Sequence, residues 1–106
     1  MRYIVKIPYM KKATLILGTR NDYSNGVVVA KRIYRLAEPT ADAPHGYSYR
    51  LHCGTMAGET LVRFDNETGK GDHVHLGAVE KPYRFTTPDQ LLADFETAIK
   101  PYTMGD

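Results

Sequence analysis

Tyr47-Ser48-Tyr49-Arg50-Leu51-His52-Cys53, then the turn residues of Gly54–Gly58, then Thr60-Leu61-Val62-Arg63-Phe64-Asp65: this stretch decides the fold. Side chains alternate between the two faces of a strand with a period of two. Tyr47, Tyr49, Leu51 and Cys53 therefore share one face, and Ser48, Arg50 and His52 share the other. With Thr60–Asp65 returning as a second strand, the two segments predict a β-hairpin.

Upstream, Val27–Leu36 is rich in β-branched and aromatic residues and reads as a strand. It follows a loop whose Asn25-Gly26 marks a tight turn, because both residues tolerate positive φ. Lys11–Leu17 fits a strand or a short helix, since Ala13, Leu15, Ile16 and Leu17 do not settle the period. Tyr3–Tyr9 alternates loosely and stops at Pro8, as an edge strand does. Pro39–Pro44 is loop. Downstream lies a loop at Asn66–Gly71, with Val74–Val79 and Tyr83–Phe85 as short strands around it. The clearest signal comes last. Thr87-Pro88-Asp89-Gln90 combines a capping Thr, Pro at the first helical position, an acid in the first turn and the Gln of a capping box. Leu91, Leu92, Phe95, Ala98 and Ile99 then recur at helical spacing, and Pro101 stops the helix. The expected fold is α+β, a small antiparallel β-sheet of about five strands with a C-terminal helix packed on one face.

The 106 residues are expected to make one domain, 1–106, with 1–9 expected as an N-terminal extension outside the core and Met10 as an alternative start of translation. Hydrophobic content of 42% and charged content of 25% are those of a folded globular protein. No apolar run approaches the roughly 18 residues of a membrane span, and no signal-peptide core is present. Cys53 stands alone, so neither an internal disulfide nor a CxxC site can form, and a reduced cytoplasmic setting is expected. The net charge of +2 and pI of 8.7 are compatible with a nucleic-acid substrate without requiring one. P-loop, Rossmann, serine-hydrolase and HExxH motifs are all missing.

Chemistry concentrates in Gly69–Glu80. In an extended segment, His73 and His75 project from one face with backbones roughly 7 Å apart. Such a pair can divide proton donation and acceptance, or grip a divalent metal. Asp65, Asp72 and Glu80 lie close enough in sequence to orient an imidazole or join a metal shell, and Gly69, Gly71 and Gly77 let a backbone or phosphate approach closely. Against this stands the plainer account of two exposed loop histidines without a role. Arg50 and Arg63 offer forks suited to phosphate, or else are solvated arginines on the outer sheet face. Lys70, Tyr83, Tyr49 and Arg84 can extend a basic and aromatic surface for single-stranded RNA.

The strings Tyr49-Arg50-Leu51, Arg63-Phe64-Asp65-Asn66-Glu67, Gly69-Lys70-Gly71-Asp72-His73-Val74-His75, Glu80 with Pro82-Tyr83-Arg84-Phe85, and Leu91-Leu92-Ala93-Asp94-Phe95 form a pattern. From Ala13 to Ile99 the chain resembles the TumE-like toxin family of prokaryotic toxin–antitoxin modules, whose members share YRL, RYDNE, GKGDHxH, E-x-PY-x-F and LL-x-DF. It departs in having Phe64 for the usual tyrosine, Lys81 after the glutamate, and residues before Met10. The resemblance implies a small toxin encoded beside an antitoxin, often a helix-turn-helix DNA-binding protein, with RNA cleavage as its activity.

The expected function is thus a type II toxin that is a metal-free ribonuclease. His73 and His75 act as base and acid, Asp72 orients an imidazole, Arg50 and Arg63 stabilise phosphorane charge, and Glu80 is a base or an arginine's partner. Lys70, Tyr83, Tyr49 and Arg84 bind substrate. No cofactor is expected; the variant using a divalent metal would take His73, His75 and Asp72 as ligands. The alternative is a non-catalytic RNA- or protein-binding module in which the arginines matter and the histidines do not. His73, as a loop residue, is expected to contribute little to a core of Leu51, Phe64, Leu91 and Phe95.

Overall fold

The computed structural model describes residues 4–6, 12–67 and 69–104. Among these residues, seven strands form one antiparallel meander, each paired with its neighbour in sequence: β1 (Ile4–Lys6), β2 (Lys12–Asp22), β3 (Val27–Leu36), β4 (Tyr47–Thr55), β5 (Thr60–Asp65), β6 (His73–Leu76) and β7 (Val79–Pro82). One helix, α1 (Pro88–Thr103), follows. The α+β architecture is the expected one, with seven strands rather than five. Ile4–Lys6 pairs with β2 at the sheet's edge; Tyr9 and Met10 lie outside the described residues.

The β4–β5 hairpin pairs Leu51 with Phe64 and Cys53 with Val62 on one face, and Arg50 with Asp65 and His52 with Arg63 on the other. The apolar face is the covered one. Val29, Ile33, Tyr49, Leu51, Val62, Phe64 and Val74 pack there against Leu91, Phe95 and Ile99 of α1. Three helical residues one or two turns apart make a single stripe, which is why one helix suffices. Lys31 of β3 reaches across to Glu96 at the rim of this interface. Thr87 caps α1 by accepting from the Gln90 N–H at 3.1 Å, but the Gln90 side chain bonds Asp94 rather than closing the capping box. Pro101 does not stop the helix, which runs on to Thr103. A proline so near the end removes one late backbone bond, and that cost is tolerated where carbonyls are already unpaired.

One open alternative is resolved and two expected strands are corrected. Lys12–Asp22 is wholly strand, and its confused period has a cause: register shifts between Leu15 and Leu17, a bulge that puts those leucines on opposite faces. Leu15 faces the side away from α1, where Ala13 and Leu36 are covered by Ala43 of the loop after β3. Val74–Val79 is not one strand but two joined by a reversal, with Gly77 at φ 62 in its turn. Gly77 supplies the left-handed conformation that other residues adopt at a cost. Tyr83–Phe85 is irregular linker. Tyr83 N–H donates to the Asp72 carbonyl at 3.1 Å, so alternation turns Pro82 toward the free edge. There its missing N–H removes a donor that another chain could pair with.

Candidate acid–base site

Because β5, β6 and β7 are in direct register, their polar positions form rows across the face that α1 leaves open. Arg63 opposes His75, which opposes Glu80; Asp65 opposes His73. A slip of one residue would turn this whole set into the core, so burial of Val62, Phe64 and Val74 on the other face fixes the site's composition.

Asp65 is the anchor. Its carboxylate is wholly buried, 2.8 Å from Arg63 Nε and 3.0 Å from His73 Nε2. Neither approach is aligned as a hydrogen bond; the one to Arg63 is an ion pair, and the one to His73 is an ion pair when that ring is protonated. His73 Nδ1 donates to the Gly71 carbonyl at 2.9 Å, and Nε2 lies 3.5 Å from Glu80 Oε2 as well. Both ring nitrogens of His73 meet acceptors, and neither is offered to solvent. His75 differs. Its Nε2 lies 2.7 Å from an Arg63 guanidinium nitrogen and 2.9 Å from Glu80 Oε2. A bare Nε2 accepts from Arg63, whereas a protonated one donates to Glu80, so each protonation state has its own partner. Lys70 Nζ stands 3.3 Å from Glu80. That contact foremost, with the nearby imidazoles, holds the Glu80 carboxyl below its usual range. Side-chain exposure rises from 0% at Asp65 and 5% at His73 to 21% at Arg63, 22% at His75, 35% at Glu80 and 61% at Lys70. Asp65 and His73 can therefore orient; Arg63, His75, Glu80 and Lys70 can meet a substrate.

Other expected residues go elsewhere. Asp72 sits in the bend just before β6 and is turned away from His73. It accepts from the Tyr49 hydroxyl at 2.6 Å and from His45 Nε2 at 3.0 Å, and touches neither His73 nor His75 by any contact above. The imidazole it orients is His45, which stacks on Phe85 at 3.9 Å between ring centroids and accepts the Tyr47 N–H at Nδ1. Tyr49 is fully buried and cannot offer a stacking face; burial and the Asp72 bond raise its hydroxyl's pKa. Tyr83 donates to Asp94 of α1 at 2.5 Å and meets Phe64 edge-on, on the helix side. Arg84 is exposed in the linker. Arg50 lies on the open face, opposite Asp65 and one position removed from Arg63. Phe64 is buried against Phe95, a packing position.

His45 and Asn66 carry structural weight that the sequence reading did not assign. Asn66 is buried, accepting from Tyr49 N–H at 2.9 Å and donating to the Tyr47 carbonyl at 2.8 Å, which clamps the chain after β5 to β4. Its place in the RFDNE string was the available signal; His45, in a proline-bounded loop, offered none. A cation could be held by His73, His75 and Glu80, whose ligand atoms all lie within 4.8 Å of one another. The acid in that set is Glu80, not Asp72.

An open meander with one helix on one face and a histidine–glutamate–arginine cluster on the other defines a small α+β protein. Residues 7–103 match the family model described as Toxin TumE, and the chain belongs to that family. It is accordingly a toxin of a toxin–antitoxin system, with a cognate antitoxin as partner. No curated protein and no solved structure matches it. Among the described residues, no helix is long and apolar enough to cross a membrane.

Proposed function

We propose that the toxin is a ribonuclease working by proton transfer between Glu80, His75 and RNA. The Glu80 carboxylate takes the proton of a 2′-hydroxyl, and the freed 2′-oxygen attacks the adjacent phosphorus. His75 Nε2–H protonates the departing 5′-oxygen, leaving a 2′,3′-cyclic phosphate. Arg63 and Lys70 face the pentacoordinate phosphorus and stabilise its developing charge. The observation that carries this reading is the paired environment of His75 Nε2, 2.7 Å from a permanent donor and 2.9 Å from a carboxylate. A group that must hold a proton in one step and lack it in the next needs both. His73 and Asp65 position these groups without touching substrate. The antitoxin that covers the site is expected to be a helix-turn-helix DNA-binding protein, and the toxin to act in the cytoplasm.

Purified protein should cleave generic single-stranded RNA to 2′,3′-cyclic phosphate ends. His75→Gln and Glu80→Gln should each lower kcat by roughly a hundredfold or more while the fold persists. Uncleaved RNA with wild-type protein, or full activity in His75→Gln, would overturn the reading. The cluster of His73, His75 and Glu80 supports one other account, in which these three hold a divalent ion that activates a nucleophile. The Arg63 cation beside His75 weighs against it, since a metal would displace that contact. Cleavage that persists in EDTA supports proton transfer by the side chains; loss with EDTA and recovery with manganese or zinc supports the ion.

A further inference from the structure

The open face carries a second cationic feature beyond the site. Arg32 of β3 and Arg50 of β4 are direct cross-strand partners, and Arg50 in turn opposes Asp65. Arg32, Arg50, Asp65 and His73 thus make one row across four strands, adjoining the row of His52, Arg63, His75 and Glu80. Like charges directly opposed across a strand pair repel, and a sheet keeps such a pair at a cost unless an anion lies between. Besides Asp65, the carboxyl of half-buried Glu67 lies within the electrostatic reach of both arginines, which partly offset the upward push of its burial. His52 stands nearby on the same face, and burial first, then the charges of Arg50 and Arg63, disfavour its cationic form. Beyond Arg32 the row ends at Gly18 of β2, which raises no side chain. Arg32 is exposed and Arg50 half-buried.

Resting on the ribonuclease reading, we propose that Arg32 and Arg50 form a phosphate subsite for the backbone of single-stranded RNA running across the strands, away from the bond cleaved. Diagonal neighbours on paired strands lie roughly 7–8 Å apart and direct partners roughly 5 Å. The path from Arg63 through Arg50 to Arg32 is therefore long enough to engage a phosphate outside the reacting one. Arginine forks grip phosphate oxygens without reading bases. The subsite then adds affinity for longer RNA without sequence preference, and Glu67 is the internal anion that phosphate replaces.

The test uses Arg32→Ala and Arg32→Glu, an exposed position outside the acid–base cluster, on the full chain. Cleavage of a decanucleotide is compared with that of a dinucleotide, which is too short to reach the subsite. Binding of an uncleavable all-deoxy decanucleotide is followed against salt. Both variants should lower kcat/KM on the decanucleotide by roughly tenfold or more, with Arg32→Glu the worse, and leave the dinucleotide within about twofold. The slope of log affinity against log salt should fall by roughly 0.7 in Arg32→Ala, the share of one single-strand phosphate contact. Equal losses on both substrates, unchanged deoxy-decanucleotide binding, or no binding by wild type would each overturn the subsite. So would variants that bind nucleic acid normally yet lose the antitoxin, which would make the row a protein-docking surface. If wild type cleaves nothing but binds the deoxy-decanucleotide through Arg32, the subsite stands and the ribonuclease reading falls.

Discussion

Truncating His73 to alanine separates a positioning histidine from a reacting one. In the sequence His73 reads as a loop residue whose loss the fold should tolerate; burial in β6 reverses that expectation. The ring takes up a bond to the Gly71 carbonyl and a charge contact to wholly buried Asp65. With the His73 ring protonated this is a buried ionic contact, and breaking one costs about 3–5 kcal/mol when one charge is left alone. Arg63 remains beside Asp65, so about half of that is the appropriate share, and the Gly71 bond adds about 1 kcal/mol. The sum is about 2–4 kcal/mol. At about 4–8 °C per kcal/mol for a domain of this size, the melting temperature should drop by roughly 10–30 °C. His75→Ala should cost less than about 1 kcal/mol, because its ring is partly exposed and Glu80 and Arg63 keep Lys70 and Asp65 as partners. Thermal melting and RNA cleavage are measured side by side, with cleavage taken well below both midpoints. His73→Ala should melt early yet retain measurable cleavage, whereas His75→Ala should melt nearly as wild type and be inactive. A His73→Ala protein that melts like wild type and cleaves nothing would refute the division of roles, because His73 would then be reacting rather than supporting.

Lys70→Met removes the largest influence holding the Glu80 carboxyl down. If Glu80 is the base, the acid limb of the cleavage profile should move upward toward the usual carboxylate value; an unmoved midpoint would remove Glu80 from that role. Burial pushes the Glu67 carboxyl up, partly offset by Arg32 and Arg50. A carboxyl whose folded pKa is raised stabilises the fold only while protonated, so stability is lost as pH rises from the unfolded value near 4.5 through the folded one. Glu67→Gln should lack that loss, and its melting temperature should gain on wild type as pH is raised from acid to neutral. A constant difference across that range would show that Glu67 does not titrate as described.

How far the residues disclosed this structure depends on which face they occupy. The β4–β5 hairpin was legible because one face is covered and the other open, which enforces alternation. The helix was legible because its cap and stripe are local. β2 was not, because the bulge near Ile16 changes its parity partway along. The β6–β7 hairpin was missed because all four residues of Val79–Pro82 are exposed, leaving no alternation, and Gly77-Ala78 lacks the usual turn pair. At the site, His73, His75, Arg63, Glu80 and Lys70 could be found by residue type alone. Which acid serves which imidazole could not, since that depends on strand pairing. Asp72 is next to His73 in sequence but across the sheet from it, whereas Asp65, eight positions away, is its partner in register.

The same register explains why the site can be rigid without a lid. Its anchor, Asp65, is a wholly buried carboxylate whose charge the surrounding sheet cannot solvate, and Arg63 and His73 approach it closely. Those two side chains are immobilised by the charge they neutralise. Arg63 in turn fixes His75, and His75 with His73 fixes Glu80. Order therefore passes outward from the buried end, along side chains rooted on strands and not on loops. The cost of burying Asp65 is borne on the helix face, where Leu51, Phe64, Leu91 and Phe95 make a core that contains none of these charged groups. Changes in that core should thus alter stability with little effect on proton transfer until the sheet melts. Changes at Asp65 should disturb both at once, because it is the residue through which the fold holds the site.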